Sequence, residues 1–214
     1  MLVDYETALP RYCLQKGHVL NMEGIKQFLM CANCEKVLSD GEDYARRTLY
    51  GRGGTKIHRP ATRQKIWYKQ ALGRTVRHGF QLRFVDFTLF KHFQIGVLWR
   101  CCVAPHQSFA SINVSQELRE QMRRGLQARS FEESFIPCYM EQLFGEPEAC
   151  FGMLSLPQMH DGFVSMTMGG YVWHYQLQAN MVCPFGVKKD GKLLIKITDL
   201  DVFLTPDSML TRRR

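Results

Sequence analysis

"FVSMTMGGYVWHYQL", residues 163 to 177, decides the fold. Two short runs rich in aromatic and β-branched residues flank Gly169-Gly170, and a Gly-Gly pair between such runs signals a two-residue hairpin. The same texture extends both ways. Upstream, Phe135 to Met140 and Cys150 to Leu156 read as strands; downstream, the turn-forming Lys188-Lys189-Asp190-Gly191-Lys192 enters a last strand over Leu193 to Ile197. Gly, Pro and Asp between the runs predict an antiparallel sheet.

Before Phe135 the period is helical. Ser115 caps an amphipathic helix carrying Leu118, Met122 and Leu126, with Glu117 and Glu120 early and Arg123 and Arg124 late, as the helix dipole favours. Phe84 to Ala104 is apolar nearly all round, which predicts a helix enclosed on most of its faces. Asp86, Lys91 and Arg100 interrupt it, so it is no membrane span. Val37, Leu38, Tyr44, Ala45 and Leu49 predict a further helix from Asn33 to Tyr50, weakened at Ser39-Asp40-Gly41, where Ser39 could cap a new start. Gly51, Gly53 and Gly54 open a flexible connection that runs past Pro60 into a short helical stretch around Arg63 to Leu72. The expected class is α+β, a helical half followed by an antiparallel sheet. Three segments follow: 1–50, a zinc-knuckle-like module and its helix; 51–130, the basic segment and core helices; and 131–214, the β-rich region.

At 214 residues and 45% hydrophobic content, the chain can bury a sizeable core. Asp4 and Glu6 stand where an export signal would be basic, so a cytoplasmic protein with reduced cysteines is expected. The net charge of +8 is confined. Eleven of the 28 Lys and Arg fall between Arg46 and Arg83 together with none of the 20 Asp and Glu, so the rest of the chain is slightly acidic. Such asymmetry points to a polyanion, whose counterions are released when cations meet its phosphates. The residues expected at phosphates are Arg46, Arg47, Arg52, Lys56, Arg59, Arg63, Lys65, Lys69, Arg74 and Arg77. Tyr50, Trp67, Tyr68 and Phe80 alternate with them, the combination that stacks the bases of a single strand. No recognition helix stands out, so base-specific readout is not expected.

Cys31-x-x-Cys34 offers half of a tetrahedral zinc shell. Cys13 and His18 upstream would complete it as Cys13-x4-His18-x12-Cys31-x2-Cys34, a structural Zn²⁺ site of three thiolates and one imidazole. The other reading leaves Cys31 and Cys34 as two thiols beside a helix start. Cys101 and Cys102 are expected to pack in the core, and His92 to be a hydrogen-bonded core histidine.

The segments "FLMCANCEKVLSDGEDYARR" (28–47) and "FKHFQIGVLWR" (90–100) resemble a family of largely uncharacterised bacterial proteins with two Cys-x-x-Cys pairs. Cys31, Cys34 and Glu35 match its second pair, Trp99 and Arg100 its later helix, and "ALPRY" (8–12) a remnant of its Pro-containing segment. The family is sometimes described as similar to HNH nucleases, which implies a zinc-stapled ββα-metal site. This chain lacks the first cysteine pair and the histidine before the Pro-containing segment, where Thr7 stands after Glu6. It reads as a start-truncated or degenerate member, or as one in which Cys13 and His18 replace the first half-site. The expectation is a zinc-stapled protein that binds DNA or RNA non-specifically, with a C-terminal sheet available to a protein partner. The alternatives are an HNH-like nuclease and a structural protein whose basic face meets an acidic one.

Overall fold

The computed structural model describes residues 32–51, 64–68, 77–105, 107–144, 155–178 and 186–199. Three helices, α1 (Ala32–Tyr50), α2 (Phe87–Val103) and α3 (Gln116–Ala128), lie among eight strands: β1 (Gln64–Tyr68), β2 (Arg77–Leu82), β3 (Cys138–Phe144), β4 (Gln158–His160), β5 (Phe163–Met168), β6 (Tyr171–Gln176), β7 (Gly186–Val187) and β8 (Leu193–Asp199). The class is α+β, and no described helix is long and apolar enough to cross a membrane.

The strand order is β1-β2-β8-β3-β6-β5-β4, with β7 also against β8. The sheet is mixed rather than antiparallel, because β3 and β8 run parallel, Met140 opposite Ile195. One further expectation is corrected. The stretch around Arg63 to Leu72 holds strand β1 instead of a helix, since Ile66-Trp67-Tyr68 suits a pleated surface and finds β2 to pair with. Most of the expected strand from Cys150 to Leu156 lies outside the described residues, and β4 begins beyond it at Gln158.

The quoted hairpin forms as read. Gly169 and Gly170 take φ of 60° and 79°, the doubly left-handed geometry of a tight hairpin turn, and Met168 faces Tyr171 across it. Tyr50, the last residue of α1, pins this turn by donating its hydroxyl to the Gly169 carbonyl at 2.7 Å. A Cβ on Gly169 would sit 2.1 Å from that hydroxyl, so glycine is needed there twice over.

Helix α2 forms the centre of the core. Phe90, Ile95 and Leu98 are fully buried, and Phe90 and Phe93 lie against Trp173 of β6 with ring centroids 6.5 and 5.5 Å apart. Asp86 caps the helix by accepting from the Leu89 amide at 3.0 Å, and Ser115 caps α3 in the same way. Helix α1 runs unbroken through Ser39-Asp40-Gly41. Gly41 sits close against α2: a Cβ there would lie 3.1 Å from the Phe93 amide nitrogen and 3.2 Å from the Leu89 carbonyl oxygen.

Candidate nucleic-acid interface

The basic segment is divided between helix and sheet. Arg46 and Arg47 are exposed on α1; Arg46 pairs with Asp43 at 3.5 Å and Arg47 donates to the Asp43 carbonyl at 3.1 Å. Lys65 lies on β1 and Arg77 on β2, opposite Phe80 and Tyr68 respectively. Arg52, Lys56, Arg59, Arg63, Lys69 and Arg74 lie outside the described residues. The segment thus contributes an antiparallel ribbon at one end of the sheet, where β1 has a described neighbour on one side only.

Two of the expected stacking aromatics are structural. Phe80 is 2% exposed, and Tyr50 carries the hairpin contact while its ring meets Tyr171 edge-on at 5.9 Å. Burial raises the Tyr50 phenol far above its usual range. Of Trp67 and Tyr68 only the backbone is described. Among the described residues Phe84, between β2 and α2, is an aromatic that does face solvent, 88% exposed. Sequence reasoning passed over it because it opens an apolar run and reads as the first residue of the buried helix.

Of the four zinc candidates, Cys13, His18 and Cys31 lie outside the described residues. Cys34 stands half-buried in the first turn of α1. Glu35 beside it pairs with Arg100 at the end of α2 at 3.2 Å, and Arg100 also pairs with Glu42. The Cys-Cys-Glu segment and the Trp-Arg helix, far apart in sequence, therefore meet through their charged residues. Among the described residues no group of three or more His, Cys, Asp and Glu is arranged to hold a metal.

The remaining candidates serve the fold. Cys101 and Cys102 are thiols that burial pushes up to about 12, and His92 shares a 3.0 Å hydrogen bond with the Leu126 carbonyl. Lys91 is 2% exposed and donates to the Ile136 carbonyl at 2.9 Å; burial lowers it to about 8. A polar network missed from sequence occupies the β3–β6–β8 region. Glu141 accepts from Lys196 and from Thr198, both at 2.6 Å; Ser165 and His174 share a 2.8 Å hydrogen bond; Tyr139 stacks on His174 at 4.4 Å. Burial alone would raise the Glu141 carboxyl, but the charges of Lys196 and His174 and its two hydrogen bonds hold it below the usual range.

Ser165, His174 and Glu141 follow one another as a nucleophile, base and orienting acid would. Glu141, however, stands 3.8 Å from His174 Nε2 and gives its short bonds to Lys196 and Thr198, so the cluster locks strands together. Alternating polar residues along β3, β6 and β8 were its only sequence signal. No protein-family model, curated protein or solved structure matches this chain.

Proposed function

We propose that this protein binds nucleic acid, DNA or RNA, without base specificity, neutralising phosphates with the basic segment from Arg46 to Arg83. One observation carries the reading: a stretch of the chain free of Asp and Glu supplies the β1–β2 ribbon at the sheet end. A ribbon of this kind can lie along a phosphate backbone while β2 joins it to the rest of the sheet through β8. In the same reading Cys13, His18, Cys31 and Cys34 hold a structural Zn²⁺ that ties the N-terminal segment to the start of α1. Native mass spectrometry should then find one zinc, lost in both Cys13→Ser and Cys34→Ser; zinc retained in either variant rejects this ligand set.

Binding is tested by titrating a labelled oligothymidine at a series of salt concentrations. If about six cations engage, the slope of log affinity against log salt is roughly −4 for a single strand. Failure to bind oligothymidine, oligouridine and duplex DNA even at low salt would reject the reading and favour an acidic protein partner.

A further inference from the structure

Phe84 is in a conformation that suits its neighbours and not itself. Its φ is 60°, the left-handed region in which a bulky aromatic residue is strained and glycine is at ease. The backbone on either side is fixed. Leu82 and Val85 are 4% and 5% exposed, and the Val85 amide donates to the Gly191 carbonyl at 2.9 Å. The chain must turn here from β2 into the Asp86 cap of α2, and a glycine would make that turn without strain. The phenyl ring, 88% exposed, contributes almost nothing to the core. Strain retained with no gain in folding is a mark of a residue that acts on something outside the fold.

Its surroundings indicate what that is. Phe84 follows Arg83, the last cation of the basic segment, and lies two residues beyond the end of the ribbon strand β2. The Lys188–Lys192 turn packs its Gly191 against the Phe84 backbone; in that turn Lys189 and Lys192 pair with Glu132 and Asp190 through exposed contacts that salt and ligand can exchange. A groove of about 520 Å³ opens from Val85 past Asp86 along the first turn of α2 to Arg129, Glu132 and Lys189, so that it carries two cations and two carboxylates. An exposed aromatic face beside cations is the arrangement on which an unpaired base stacks while its phosphates are neutralised.

We infer that Phe84 is a base-stacking residue and that single-stranded nucleic acid, rather than duplex, is the preferred ligand. This rests on the nucleic-acid reading above. The test compares the full-length wild type, Phe84→Gly and Phe84→Trp for binding to labelled oligothymidine and to a duplex, with thermal melting alongside. Phe84→Gly should weaken single-strand binding roughly tenfold, leave duplex binding unchanged and raise the melting temperature, while Phe84→Trp retains single-strand affinity. Wild-type binding that Phe84→Gly leaves unaltered, or weakens equally for duplex, overturns the stacking role and leaves the phosphate reading standing. A wild type that binds neither ligand overturns both.

Discussion

The centre of this sheet and its β1–β2 end are built for different ends. At the centre, α2 meets β6 through Phe90, Phe93 and Trp173, and two enclosed charged groups are engaged: Lys91 with the Ile136 carbonyl, Glu141 with Lys196 and Thr198. At the end stand the basic ribbon and a fully solvated phenylalanine in a strained turn. The difference teaches where to expect each kind of defect. A change at the centre should cost stability, whereas a change at the ribbon should cost binding and spare the fold.

The largest break should come at Trp173, 1% exposed and in contact with Phe90 and Phe93 of α2. Trp173→Ala is expected to destabilise by about 3–5 kcal/mol, measured by urea unfolding, because the site cannot collapse around the lost ring. A cost near that of a surface substitution would mean that the helices do not depend on β6.

Glu141→Gln should follow, at about 3 kcal/mol, since it leaves Lys196 without its anion in a nearly enclosed site. The sign with pH is fixed by the depressed carboxyl of Glu141. The wild type's advantage is full above the ordinary value of 4.5 and is lost as pH falls below it through the folded value. An advantage that persists undiminished to pH 2 would contradict the ion pair.

Lys91 gives a pH dependence of the same sign in a separate, alkaline window. Its folded value of about 8 lies below the ordinary 10.5, so between them the unfolded chain holds more protons and stability rises with pH. Relative to Lys91→Met, the wild type should gain about 1 kcal/mol per pH unit across that window and nothing below it. Parallel unfolding curves for the two proteins from pH 8 to 10 would show that Lys91 is not enclosed.

Much of the centre was legible in the sequence because its signals are local. Gly169-Gly170 specified its own turn, Ser115 its own cap, and the all-round apolar character of α2 announced enclosure. What was not legible depends on partners distant in the chain. The parallel pairing of β3 with β8, and the pairing of β2 with β8, join segments that no local period links. Strand β1 read as helix because Lys and Gln flank its three β-forming residues, and only β2 decides between the two. The site was legible as charge, in the acid-free stretch from Arg46 to Arg83, but not as geometry. Tyr50 and Phe80 look like stacking residues in sequence and are anchors in the fold, whereas Phe84 looks like core and is exposed.

The most direct measurement is on the double variant Lys65→Glu/Arg77→Glu, assayed for oligothymidine affinity and for unfolding free energy on the same preparation. The separation of centre from ribbon predicts at least a tenfold loss of affinity at low salt, with stability within about 0.5 kcal/mol of wild type. Unchanged affinity, or affinity lost only as the fold is lost, would contradict it.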